Sequence, residues 1–197
     1  MFQTFDMTRR DVTMTVFPAF GRVGFAWIAG SILYGIPHVL ANFEPNEVLR
    51  LIATERVTIF NLVPTMAAML LPAQATAARD LSSIRAIVFA GASLPETIRE
   101  QTVARLCPNI YEYYGMQETG TLTVSTPADR KRYPHSIGAP LALSDVRIGD
   151  PTARSPIRGS SARSSDARRP PAPATSTTLK NPPKLFAAAT CIPAISA

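Results

Sequence analysis

Two hydrophobic periods alternate along this chain, and that alternation constrains its fold more than any other feature. Short runs rich in β-branched and aromatic residues ("HVLA", "RVTIFNLV", "IRAIVFAG", "NIYEYY") are separated by longer segments with helical spacing. Strands joined through helices cannot pair as tight hairpins. They need crossovers, and the expected product is an α/β layer around a largely parallel sheet. "RVGFAWIAGSILYG" reads as a buried helix, and its apolar stretch from Phe25 to Ile36 is shorter than the roughly 20 residues of a membrane span. "EPNEVLRLIATE" is amphipathic, with Val48, Leu49 and Ile52 on one side and Pro45 near its start. "PTMAAMLL" is a helix with Pro64 in its first turn. The clearest helix is "SLPETIREQTVARL": Ser93 and Glu96 stand at capping-box spacing, and Leu94, Ile98, Val103 and Leu106 supply the apolar face. "TLTVST" is a further strand.

The pattern stops near residue 150, in the middle of the strand-like "LSDVRIGD". Residues 151–197 hold eight prolines, many serines and arginines, and no sustained apolar period. Such a segment cannot bury enough apolar surface to offset an ordering entropy of about 1–2 kcal/mol per residue. The expected organisation is a folded segment over residues 11–150 and a disordered tail over 151–197. The abruptness of the change suggests a chain diverted from its original reading frame. Charge follows the same division. Residues 1–150 carry 13 basic and 13 acidic groups, whereas 151–197 carry 7 and 1, so the whole net charge of +6 lies in the tail. The folded part therefore gives no electrostatic reason to expect nucleic acid. The tail's basic groups are scattered among prolines without aromatic interleaving, which disfavours that partner there too.

Cys107 and Cys191 lie too far apart for metal-type spacing, and His38 and His135 have no ligand cluster around them, so structural or surface roles are expected for both histidines. No apolar run of signal-peptide type follows Arg9 and Arg10, and the expected setting is reduced and cytoplasmic.

Two loops that follow predicted strands carry the candidate chemistry: "FAGASLP", residues 89–95, and "YYGMQETG", residues 113–120. On neighbouring parallel strands both would face one crevice beyond the carboxyl ends. Gly91 and Ala92, followed by Ser93, let the backbone approach a flat base. Tyr114 offers a ring face, of the kind worth about 1–3 kcal/mol to a stacked base. Gly115 permits a tight turn, with Met116 beside it. Gln117 can donate to a phosphate oxygen, and Glu118 is a hard carboxylate ligand for Mg²⁺. A turn glycine beside a rim tyrosine accounts for the same residues without any ligand.

The order of these stretches resembles the adenylate-forming superfamily, the AMP-dependent synthetases and ligases, and most of all its acyl-CoA synthetases. "YYGMQETG" is similar to that family's Tyr-Gly-x-Thr-Glu motif, "FAGASLP" to its Gly-Gly-Ala-x-Leu loop, and "TIFNLVPTMAAMLL" to the strand and Val-Pro-Thr helix upstream. "HSIGAPL" resembles a later Gly-x-x-Gly-x-Pro turn, with Gly138 and Pro140 matching. The resemblance covers residues 11–150 and implies part of a large α/β domain. It implies an ATP-dependent adenylation of a carboxylate, followed by thioester formation with coenzyme A, so ATP/AMP, Mg²⁺, CoA and a small carboxylic acid are the implied ligands. By resemblance Gly91, Ala92 and Tyr114 hold adenine, Gln117 stands at the motif's Thr position near the α-phosphate, and Glu118 binds Mg²⁺. The acyl pocket lies near Ala92 and Met116.

Some of the family's features are absent. Residues 1–20 contain no glycine and therefore no Ser/Thr/Gly-rich phosphate loop. "RIGD", 147–150, only echoes the family's ribose-binding sequence. Lys184, in "NPPKLF", lacks the setting of the lysine that assists adenylation. "PAFGRVG", 18–24, is similar to a Pro-x-Phe-His segment, with Gly21 where many members carry His. The expectation is an inactive fragment of an acyl-CoA synthetase; the alternative is a non-catalytic fragment that binds an acyl group, adenine or a partner.

Overall fold

The computed structural model describes residues 3–142 together with Ser144 and Val146. Residues 3–141 lie in one compact unit, and the grouping beyond begins at Ala142. Most of "LSDVRIGD", the whole of 151–197, Lys184 and Cys191 fall outside the described residues, and so does the expected disorder of the tail.

Seven strands form one sheet in the order β2-β1-β3-β4-β5-β6-β7. They are β1 (Thr13–Thr15), β2 (His38–Leu40), β3 (Ile59–Leu62), β4 (Ala86–Phe89), β5 (Ile110–Met116), β6 (Gly120–Ser125) and β7 (Ala139–Pro140). Helices α1 (Arg22–Tyr34), α2 (Pro45–Glu55), α3 (Pro64–Thr76) and α4 (Glu96–Arg105) are the four crossovers between β1 and β5, and α5 (Pro127–Arg132) follows β6. The α/β class is as expected. The sheet is parallel from β2 through β5 and antiparallel from β5 through β7. The mixed edge follows from loop length, because the short turn from Met116 to Gly120 cannot hold a crossover and forces a hairpin.

The helices divide between the two faces. α1 packs through Trp27 on the side of Ile59, Ala86, Val88 and Val124, joined by Tyr113. α2, α3 and α4 cover the other side over Met14, Phe60, Leu62, Ile87 and Phe89. These strands are buried on both faces, which is why they read as continuous apolar runs. β1 escaped the sequence reading because two of its three residues, Thr13 and Thr15, are polar, although all three are buried.

The helix starts show local chemistry at work. Glu44 caps α2 by accepting from the backbone N–H of Asn46 and Glu47, and Val48, Leu49 and Ile52 are its buried face, as expected. At α4 the expected capping box does not form. Pro95 is the N-cap with no side-chain bond, and Glu96 pairs with Arg99. The expected apolar face is also one residue out of phase. Val103 is exposed, and Thr102 is buried in its stead, on a four-residue spacing with Leu94, Ile98 and Leu106. Its hydroxyl donates to the Ile98 carbonyl at 2.7 Å, which satisfies the polar group inside the core. A true capping box lies elsewhere, between Thr126 and Asp129 at the start of α5.

Candidate functional site

The chain leaves β1 through α1 to β2 on one side, then returns past β1 to β3 with its helices on the opposite face. Such a reversal opens a crevice beyond the carboxyl ends of the strands. Four pieces of chain gather at those ends: residues 16–21 after β1, Val63 after β3, residues 90–95 after β4, and the turn 117–119 after β5.

The loop after β4 is held open by a glycine. Gly91 has φ +80°, a conformation L side chains rarely adopt, and a Cβ there would sit 3.1 Å from Val63 Cγ1. Leu94 is buried and anchors the loop, while Gly91, Ala92 and Ser93 are exposed. The parallel register pairs Phe89 with Glu112. Gly91 lies two residues past the end of β4, in the loop, and Tyr114 lies two residues past Glu112 on β5, so both candidate stretches follow the last paired residues of neighbouring parallel strands.

The second stretch differs from its expected form. Tyr113, Tyr114, Gly115 and Met116 belong to β5, and only residues 117–119 form the turn. Gly115 does not turn the chain. Its missing Cβ makes room for the Gly120 carbonyl oxygen, which would lie 2.0 Å from that atom at a bulge between Tyr114 and Gly115. The two tyrosines project to opposite faces. Tyr113 packs under α1, and burial pushes its hydroxyl up to about 12, so it stays protonated as a core residue. Tyr114 is half-buried on the other face. Met116, Gln117 and Glu118 are exposed at the hairpin end. Among the described residues no group of three His, Cys, Asp or Glu side chains is placed to hold a metal ion. A lone carboxylate such as Glu118 fits Mg²⁺, which is commonly bound by one or two carboxylates plus substrate phosphates. The side of Gly91 where a Cβ would project is filled by Val63, while the exposure of Gly91, Ala92 and Ser93 leaves the loop accessible to a flat ligand.

The sequence reading missed two contributors. Arg22, the first residue of α1, donates from Nη1 to the Gln117 carbonyl at 2.8 Å. Glu112 on β5 pairs with Arg130 of α5 at 2.8 Å; burial raises its carboxyl above the usual range, and the nearby Arg130 and Arg99 partly oppose this. Gly120 was the available signal for the first, since two glycines flanking a short turn imply close approach on both arms.

His38 takes the structural role expected of it: its Nδ1 lies 2.8 Å from Thr13 Oγ1 and 3.2 Å from Ser31 Oγ. His135 is exposed. Cys107 is buried, and burial pushes its thiol up, away from reactivity. A depression of about 230 Å³ lined by Met7, Arg9, Leu33 and Tyr34 lies at the C-terminal end of α1, away from Arg22 and the hairpin. No described helix is long and apolar enough to cross a membrane.

The chain is similar to known proteins over most of the described residues. The profile of a family described as AMP-binding enzyme matches residues 1–161. The chain is 31% identical over 152 residues to the 2-succinylbenzoate–CoA ligase of Bacillus velezensis, a match covering 75% of this chain and 30% of that protein. It is 33% identical over 115 residues to the medium/long-chain-fatty-acid–CoA ligase FadD8 of Mycobacterium tuberculosis, covering 57% and 20%. Among solved structures, O-succinylbenzoate coenzyme A synthetase of Bacillus subtilis, in complex with ATP and magnesium ion, superposes with a TM-score of 0.67 at 26% identity, over 76% of this chain and 31% of that one. The chain thus spans between 20% and 31% of the length of these relatives.

Proposed function

We propose a function from one premise: the chain belongs to the AMP-binding enzyme family, the adenylate-forming superfamily. Its part in that chemistry is to build the adenine wall and the metal-facing turn of an ATP-dependent carboxylate–CoA ligase. The observation that carries this reading is the left-handed backbone of Gly91, at φ +80°, just past the end of β4, whose parallel neighbour β5 carries Tyr114. Gly91, Ala92 and Ser93 form one wall for the adenine and Tyr114 the other. Gly115 lets the hairpin fold tightly and presents Met116, Gln117 and Glu118 at its tip. Gln117 faces the α-phosphate, and Glu118 holds Mg²⁺. The metal, when bound, neutralises phosphate charge. In the family reaction, the carboxylate oxygen attacks the α-phosphorus and displaces pyrophosphate; the thiol of coenzyme A then displaces AMP from the acyl group, which rests near Ala92 and Met116. The carboxylate is of the class handled by its relatives, an aromatic or fatty acid.

The working segment of this reading is residues 11–150, within the family match over residues 1–161. Lys131, in "DRKRYP", is the single lysine before residue 151, and no Ser/Thr/Gly-rich loop accompanies it. Preorganised donors at the developing charge supply the largest catalytic contribution, and losing one typically costs about 10²–10³-fold. The isolated chain therefore binds adenylate without turning over. Calorimetric titration of the 197-residue chain with AMP tests the reading: saturable binding lost in Tyr114→Ala is expected, while absence of binding by the wild type overturns it. ATP–pyrophosphate exchange with aromatic and fatty acids tests the second half; robust exchange would show a more complete site.

A further inference from the structure

We propose that Arg22 is a positioning residue that pins the 117–120 turn and so fixes where Gln117 and Glu118 point. The inference rests on the adenylate reading for its functional consequence, but its structural half stands alone.

Two independent contacts bring Arg22 to the turn. Its Nη1 donates to the Gln117 carbonyl oxygen at 2.8 Å across 95 residues of chain. Its guanidinium also fills the space beside Gly120, where a Cβ would come within 2.4 Å of Nη2 and 3.1 Å of Cζ. Gly120 has φ +73°, so the turn closes through a left-handed residue that carries no side chain to compete with the arginine. On its other side Gly120 presses its carbonyl against Gly115. Arg22, Gly120 and Gly115 follow one another in contact, and the arginine adds a charged hydrogen bond to the backbone packing that shapes the turn.

The loop that delivers Arg22 is itself fixed. A Cβ on Gly24 would meet the carbonyl oxygens of Pro18 and Phe17 at 2.3 and 2.7 Å, so the loop after β1 folds directly onto the first turn of α1. The backbone N–H of Gly21 closes that loop by donating to the Pro18 carbonyl at 3.0 Å. Arg22 is exposed and anchors no core, so its removal changes the turn without unfolding the sheet.

Hydrogen exchange of the free 197-residue chain is the first arm of the test. Arg22→Met is expected to speed exchange at the amides of 117–121 by about tenfold, the scale of one charge-assisted hydrogen bond, and to leave β3 and β4 protected. Arg22→Lys, which can still donate one bond to the Gln117 carbonyl, is expected to recover part of that protection. Unchanged exchange in Arg22→Met overturns the proposal, as does loss of protection throughout the sheet. AMP titration with and without Mg²⁺ is the second arm. About tenfold weaker, less Mg²⁺-sensitive binding in Arg22→Met, with the melting temperature held and Lys rescuing, is expected. Wild-type affinity in Arg22→Met overturns the functional half. A wild-type chain that binds no AMP overturns the adenylate reading, and with it that half, while the exchange arm still decides whether Arg22 holds the turn.

Discussion

Asp11 and Arg85 are joined by two parallel hydrogen bonds, Nε to Oδ1 at 2.6 Å and Nη2 to Oδ2 at 3.0 Å, between the start of β1 and the start of β4. The pair is a hub. The Asp11 carboxylate also accepts from the Thr8 backbone N–H at 2.7 Å and the Thr58 hydroxyl at 2.7 Å. Arg85 reaches on to the carbonyls of Phe5 and Asp6 at 3.1 and 3.2 Å, tying the N-terminal segment down.

Asp11→Ala is expected to destabilise the fold by about 3 kcal/mol, the low end for breaking a buried pair, because Arg85 is partly exposed. Burial pushes the Asp11 carboxyl up, but the Arg85, Thr8 and Thr58 hydrogen bonds outweigh it and bring the pKa down to about 2. A carboxyl depressed in the folded state contributes stability that is complete above its unfolded value and is lost as pH falls. Urea denaturation should therefore show a loss between about pH 4 and pH 2 that Asp11→Ala lacks. Identical acid profiles for the two chains would remove the pair from the account.

His38 moves the other way. Its ring is partly buried with the hydroxyls of Thr13 and Ser31 as its partners, Nε2 has no partner among the described residues, and burial lowers its pKa. A neutral buried imidazole must take up a proton on unfolding in acid, so stability falls as pH drops through about 6.5, the unfolded value. His38→Gln should flatten denaturation midpoints between about pH 7 and pH 5. An unchanged slope in the variant would mean that His38 is not the titrating group.

How much of this was legible in the sequence depended on whether a residue's role was local. The four crossover helices and strands β2 to β5 announce themselves by period, since burial on one or both faces is written directly into the residue types. Pro45 and Pro64 mark helix starts because a missing N–H costs nothing there. What failed was whatever depends on a distant partner. Thr102 reads as polar until the Ile98 carbonyl satisfies it. Thr13 and Thr15 hide a central strand. Gly115 looks like a turn residue, and only the hairpin shows that it makes room for Gly120. The candidate site was found as two loops, but the hand that Arg22 lends from across the sheet has no local signature.

Asn61 lies on β3 opposite Val88, is 2% exposed, and neither its amide nitrogen nor its oxygen has a partner among the described residues. A buried polar group left unpaired costs about 1–3 kcal/mol. Asn61→Leu, with the same branched shape and number of side-chain heavy atoms and fully apolar, should stabilise the chain by roughly 1 kcal/mol or more in urea denaturation. A variant less stable than wild type would show that the amide is satisfied, for instance by water.

Gly91 offers the sharpest test of the adenine wall. Its φ of +80° means that any L side chain there strains the backbone, and the new Cβ would press on Val63 at 3.1 Å. Gly91→Ala should cost about 1–2 kcal/mol of stability from the left-handed conformation alone. If the loop backbone approaches the base, the shift that the methyl forces on the loop should also lower AMP affinity, by about tenfold or more, because contact attraction falls steeply with a gap of even about 0.5–1 Å. Combining Gly91→Ala with Val63→Ala separates the two effects. Relief at Val63 lets the loop settle and recovers part of the stability; affinity that recovers with it traces the loss to displacement of the loop, and affinity that stays low traces it to the methyl itself. AMP titration beside urea denaturation of both variants reads this directly. Wild-type affinity in Gly91→Ala would mean that adenine does not lie against this loop, whatever Tyr114 does on the neighbouring strand.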